Sequence, residues 1–208
     1  FASKLNAKYD ATLIGTKLTV DKTGAYYTGK AITIDSFKTK YVVVDDSNKV
    51  LTEGKDYELR YKNNIDAGVA TVEAYGIGNR KNYDKTGKEI AIATLQYNIE
   101  PTAVITSDMV KKISDVEYAG GLPVEPQVVI IDAKGNRLVQ GVDYTVETSV
   151  TNVTPDNQTQ NGGEVTIKGK GAYLTGTKSG STITTDYANT KLSNISSYTW
   201  KVTKKDFA

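Results

Sequence analysis

The chain has 208 residues, 38% hydrophobic, 9% aromatic and 24% charged, with a net charge of +2, which is enough apolar material for two modest cores and excludes general disorder. Its only arginines are Arg60, Arg80 and Arg137, so no basic stripe is present to grip nucleic acid. Cys and His are both absent, which removes disulfides, thiolate metal sites, the commonest zinc ligand and every imidazole-dependent nucleophile. Hydrolases built on a carboxylate pair or a Ser-Lys dyad need no imidazole and stay chemically open. No apolar run approaches the roughly 20 residues of a membrane span, and Phe1-Ala-Ser-Lys4 lacks the pattern of a leader. The reading is a soluble segment without membrane insertion, with any signal or anchor outside it.

In chain order, residues 18–27 read as an opening strand. Tyr41-Val-Val-Val44 is the next, followed by an Asp45-Asp-Ser-Asn48 turn, Val50-Leu51 and a turn at Gly54. In Tyr57-Glu-Leu-Arg-Tyr61 the period of two puts Tyr57, Leu59 and Tyr61 on one face and Glu58 and Arg60 on the other, the pattern of an antiparallel sheet with one wet side. Asn63-Asn64-Ile-Asp-Ala-Gly68 turns the chain into a strand where Ala70, Val72 and Ala74 alternate with Thr71, Glu73 and Tyr75. Gly76-Ile-Gly78 marks the bend where that strand leaves the sheet. Leu95-Gln-Tyr97-Asn-Ile99 closes the first unit, and Pro101 ends pairing there. Residues 106–113 are the best helical candidate, but they are too few and lead directly into an opening strand of a second unit. That unit continues with Val128-Val-Ile-Ile131, a Gly135 hairpin turn, Tyr144-Thr-Val-Glu147, a polar loop over 152–163, Gly169-Lys-Gly171, and Tyr198-Thr-Trp200-Lys-Val202.

The two halves are one plan written twice. Leu51-Thr-Glu-Gly54-Lys-Asp56-Tyr57 returns 87 residues on (141 − 54) as Leu138-Val-Gln-Gly141-Val-Asp143-Tyr144, and the same offset carries Val42-Val-Val-Asp45 onto Val129-Ile-Ile-Asp132. At Gly171 against Gly78 the offset is 93 (171 − 78), which places the extra residues in the 152–163 loop. Tyr97 and Trp200 become equivalent aromatic anchors. The expectation is an all-β chain of two tandem domains, residues 1–101 and 102–208, each a two-sheet sandwich. A short linker should set them end to end as a stiff rod.

Tyr27-Thr-Gly29-Lys30, Leu51-x-x-Gly54-x-Asp56-Tyr57, Tyr61-x-Asn63-Asn64, Ala67-Gly68-x-Ala70-Thr71-Val72 and Gly76-x-Gly78-Asn79 together resemble the Ig-like repeats of Gram-positive cell-wall-anchored surface proteins. They are most similar to the tandem repeats of lactobacillar adhesins that bind mucus and epithelial cells, and nearly the whole chain takes part. Unit two departs from the pattern, with Glu147-Thr-Ser149 in place of the Tyr-x-Asn-Asn segment. The resemblance implies Ig-like β-sandwiches and an extracellular location attached to the cell wall through other regions. It implies a mucin or other host glycoprotein and neighbouring repeats as partners, and a monomer with no cofactor and no catalytic role. A passive stalk or spacer is the alternative it leaves open. Such domains also sometimes carry a Lys–Asn or Lys–Asp isopeptide bond promoted by an acid.

Among individual residues, recurrence of Asp56-Tyr57 as Asp143-Tyr144 points to structure rather than to a ligand, with Tyr filling the core and Asp accepting backbone N–H groups. Asp45-Asp46 and Asp132 suit hairpin turns better than calcium, since the sustained alternation of acidic ligands is missing. Gly76-x-Gly78 and Gly169-x-Gly171 lack the helix a phosphate loop needs. Asn152, Asn157 and Asn194 begin glycosylation-type triplets and receive no role. Tyr75 and Glu73 are the candidate ligand-binding pair: an outward ring beside a carboxylate can stack on a sugar and accept its hydroxyls, and Lys168 stands at the equivalent place in unit two. The plainer reading is a cross-strand pair worth about 0.2–1 kcal/mol to the sheet. Catalytic and metal-binding residues are not expected. Phe1-Ala2 and Phe207-Ala208 hint at a longer array with a period of 206 (207 − 1).

Overall fold

The computed structural model describes residues 16–19, 25–37, 41–111, 113, 114, 116, 117, 127–150, 160–189, 192 and 200–203. The chain divides into two compact units, Phe1–Glu100 and Pro101–Ala208. It is all-β: among the described residues the only helical turns are three short 3-10 segments.

In the first unit, β1 (Lys17–Thr19), β2 (Ala25–Tyr26) and β3 (Val42–Val44) precede the long hairpin of β4 (Tyr57–Lys62) and β5 (Gly68–Gly76). The short pair β6 (Asn82–Tyr83) and β7 (Glu89–Ile90) follows, then β8 (Ala93–Glu100). The main sheet has the order β2-β8-β5-β4, and β1 pairs with β3 on its own. Alternation along β5 buries Gly68, Ala70, Val72, Ala74 and Gly76 and leaves the residues between them half-exposed, because successive side chains leave opposite faces of a strand. The small residues of β5 let Tyr57 and Tyr97 from the flanking strands fill the space above them, with Leu18, Ile34 and Val43 in the same core cluster. Tyr97 is only 2% exposed. It meets Phe37 edge-on at 5.2 Å, and its hydroxyl donates to the Ile32 carbonyl at 2.6 Å. Asn64 clamps the same segment, its side-chain amide donating to the Ile32 carbonyl at 3.1 Å while its own carbonyl accepts the Ile32 N–H at 2.7 Å.

The second unit contains β9 (Ala103–Ile105), β10 (Val116–Glu117), β11 (Tyr144–Val150), β12 (Gln160–Gly169), β13 (Tyr173–Ser179), β14 (Thr182–Thr185) and β15 (Trp200–Thr203). They form sheets of order β10-β15-β12-β11 and β14-β13-β9. Its separate core gathers Ile105, Val110, Ile130, Leu138, Tyr144, Val165 and Ile167.

The repeat is visible bond by bond. Tyr57 lies opposite Gly76 and Tyr144 opposite Gly169; the Gly54 N–H donates to the Tyr57 carbonyl at 2.8 Å and the Gly141 N–H to the Tyr144 carbonyl at 2.7 Å. Ala70 faces Tyr97 and Gly163 faces Trp200, so the backbone positions of Tyr97 and Trp200 correspond; the Trp200 side chain lies outside the described residues. Each main sheet also ends on a parallel pair, Ala25 with Ile99 and Val116 with Val202.

Two expectations are corrected and one is met. The 152–163 loop is shorter, since Gln160–Gly169 is one strand and Gly163 pairs with both Val150 and Trp200; residues 151–159 lie outside the described ones. As expected, the 106–113 segment is too short for a helix: it holds one 3-10 turn, Ser107–Met109, before Val110 bridges to Ile130. The main sheets are not purely antiparallel, because β2 and β10 return alongside the last strand of their units. The Asn152, Asn157 and Asn194 triplets and the two Phe-Ala ends also lie outside the described residues.

Candidate functional site

Tyr75 and Glu73 stand on the outward face of β5, and β4 supplies their neighbours: Glu58 is paired with Tyr75, Arg60 with Glu73 and Lys62 with Thr71. Because a diagonal neighbour on the next strand is within reach of a long side chain, Arg60 lays its guanidinium over the Tyr75 ring, 3.9 Å from the centroid. The Tyr75 hydroxyl donates to Glu73 Oε2 at 3.1 Å, and Lys62 Nζ donates to Glu73 Oε1 at 2.7 Å. Both oxygens of Glu73 are therefore engaged, and its side chain is 14% exposed. Arg60 in turn bonds Glu58 Oε1 through Nε at 2.9 Å and Nη2 at 2.6 Å, and reaches Glu89 Oε2 at 3.2 Å. Lys81 completes the row at 3.5 Å from Glu89.

These contacts bias the protonation states. Burial, reinforced by the Glu73 carboxylate, raises the Tyr75 phenol above its ordinary value and keeps it a donor. Hydrogen bonding to Glu58 holds the proton on Arg60 more firmly, and hydrogen bonding to Glu73 does so for Lys62. The result is an ordered row of alternating charge on the outward sheet face, with one half-buried ring in its middle under the Arg60 guanidinium. It can offer a ring and polar edges to a ligand, but a carboxylate clamped between a lysine and a phenol is a poor general acid. In unit two the same lattice positions carry Glu147 in place of Arg60 and Lys168 in place of Tyr75, 3.5 Å apart.

The repeated Asp-Tyr pairs serve the turn. Asp56 Oδ2 accepts the Thr52 N–H at 2.9 Å and Asp143 Oδ2 the Val139 N–H at 2.8 Å, while Tyr57 and Tyr144 are buried. The Thr52 N–H and the guanidinium of Arg80 hold the Asp56 carboxyl below the usual carboxylate range. Asp45 Oδ1 accepts the N–H groups of Ser47 and Lys49, and Asp132 Oδ1 those of Lys134 and Asn136; these oxygens close hairpin turns. Among the described residues no three acidic groups gather as a metal site would require. Every lysine whose burial is described is exposed or half-buried, so none of those lies in a core beside an asparagine.

Sequence reasoning placed Tyr75 and Glu73 on one face but missed Arg60 as the ring's cover, although Arg60 was on the same wet face by alternation. Comparison with protein families, curated proteins and solved structures finds no match to this chain.

Proposed function

We propose that this chain is a pair of Ig-like β-sandwich repeats from a cell-wall-attached adhesin of a Gram-positive bacterium. It acts outside the cell, without catalysis, as a monomer beside neighbouring repeats, and the outer face of β4 and β5 meets mucin or another host glycoprotein. The observation that carries the reading is the ordered row of Arg60, Tyr75 and Glu73 on the outward face of β4 and β5, where a ligand meets polar groups already fixed in place around the ring under Arg60. The resemblance of the repeated motifs supports the class of ligand. No described helix is long and apolar enough to cross a membrane.

A second reading, the passive spacer, is favoured by one specific observation: Glu73 already accepts from Lys62 and Tyr75, and Arg60 already donates to Glu58, so a ligand must displace internal bonds. Capture of the intact chain on immobilised mucin separates the two. The adhesin reading expects retention that grows when copies are linked, because weak sites gain avidity, and that falls with Tyr75→Ala. No retention by the single chain or by linked arrays would leave the spacer. Retention unchanged in Tyr75→Ala moves the contact elsewhere on the surface.

A further inference from the structure

Unit two has an open groove of about 270 Å³ floored by Val128, Leu138 and Tyr144, with Gln127, Arg137 and Gln140 at its rim. The repeat explains why it is there. At the 87-residue offset Val128 stands for Tyr41, and Gln140 for Glu53. In unit one the Tyr41 ring reaches across this place and donates its hydroxyl to the Glu53 carboxylate. Replacing that tyrosine by valine and that glutamate by glutamine withdraws the ring and the charge it met. Tyr144, the counterpart of Tyr57, turns its hydroxyl to the Val128 carbonyl at 3.0 Å instead, so it does not refill the space.

The rim has changed chemistry as well. Val50, 62% exposed in unit one, corresponds to Arg137, and Arg137 makes no ion pair or side-chain hydrogen bond among the described residues. The amides of Gln127 and Gln140 are likewise without protein partners among the described residues. The groove is thus bordered by a guanidinium and two amides that have no hydrogen-bond or ion-pair partner among the described residues; the guanidinium lies near Tyr144 on its floor. A phenol offers one hydroxyl and leaves most of those groups unmatched. A hydroxylated ring bearing a carboxylate matches them all, with the guanidinium gripping the acid in a two-point hydrogen bond and each amide both donating to and accepting from hydroxyls.

We propose that this groove is a binding site for an acidic sugar, a pyranose ring carrying a carboxylate. The site lies in the other unit from Tyr75 and goes beyond the adhesin reading, because a spacer could hold such a sugar equally.

The test is a two-dimensional amide NMR titration of the full chain with N-acetylneuraminic acid, glucuronic acid, galactose and benzoate. The acidic sugars are expected to shift the amides around Val139 and Gln140, with galactose and benzoate markedly weaker. Arg137→Gln, a change at an exposed position, should weaken the acidic sugars by about tenfold or more, as loss of a charge-assisted pair implies. Val128→Tyr, which restores the ring of unit one, should close the groove to them. Equal binding of galactose, tighter binding of benzoate, no response to either acidic sugar, or an unchanged affinity in Arg137→Gln would each overturn the proposal. Should Val128→Tyr fail to fold, the Arg137→Gln comparison decides alone.

Discussion

At the scale of single side chains, the buried tyrosines Tyr97 and Tyr144 each combine a packed ring with one hydrogen bond to a backbone carbonyl. Removing the Tyr97 hydroxyl deletes its bond to the Ile32 carbonyl, but Asn64 still serves that oxygen, so Tyr97→Phe should cost about 1 kcal/mol. Tyr97→Ala also opens a cavity against Phe37 and should cost about 3–5 kcal/mol. Urea unfolding of both variants checks the ratio. Titration adds a pH window. The carboxyls of Asp56, Asp84, Asp108 and Asp132 are held below their ordinary value, by the Thr52 N–H, the Thr86 hydroxyl, Lys178 and Asn136 respectively. The folded chain therefore binds fewer protons there than the unfolded one, and their stabilisation is present above the ordinary carboxylate range and lost as pH falls through the depressed values. Burial lifts the phenols of Tyr61 and Tyr97 to about 12. Their contribution is intact below the ordinary value near 10 and disappears as pH rises through 12. The urea midpoint should accordingly form a plateau at intermediate pH and fall on both sides; a midpoint that rises into acid would contradict this assignment.

Strand ends show how backbone geometry constrains each element. Gly54 and Gly141 sit at φ of 80° and 85°, and no atom lies within 4 Å of where a Cβ would stand at either. Gly54→Ala should therefore cost only the strain of a left-handed residue, about 1–2 kcal/mol. Gly76 and Gly169 differ: a Cβ would fall 1.9 Å from the Arg80 carbonyl oxygen at the first and 2.3 Å from the Tyr173 carbonyl oxygen at the second. Backbone must move to admit it, so Gly76→Ala and Gly169→Ala should destabilise more than Gly54→Ala in the same unfolding experiment. Comparable losses at all three would mean that the approach of the chain after β5 and β12 is adjustable. The hairpin of β4 and β5 was legible because its period of two is unbroken and its turns carry Asn and Gly. The pairs β6–β7 and β9–β13 were not. Two or three residues hold too little alternation to register, and β9 finds its partner about 70 residues away (173 − 103).

For the chain as a whole, the consequential fact is that each unit carries its own core cluster. Fragments 1–100 and 101–208 should each unfold cooperatively when made alone, and Tyr97→Ala in the full chain should lower the transition of the first unit and leave that of the second. Calorimetry of the chain and both fragments tests this; a fragment that stays unfolded would show that its core needs the other unit. The duplicated plan also permits divergence. Once the Gly-x-Asp-Tyr turn and the β5-type strand hold a unit together, positions outside that frame are free to differ, whether half-exposed, such as Tyr75 and Lys168, or buried in one unit, such as Val128 in place of Tyr41.

The amino-acid sequence by itself determined the all-β class, the duplication, the turns at Gly54 and Gly141, and which face of β4 and β5 is wet. All of these follow from short-range alternation and from residues with special backbone freedom, which act within a few positions of the chain. Only the tertiary structure decided that β2 and β10 return in parallel, that Arg60 covers Tyr75, and that a valine for a tyrosine opens a groove beneath Arg137. Those outcomes depend on which segments meet through space, and alternation names a side chain's face without naming its neighbour.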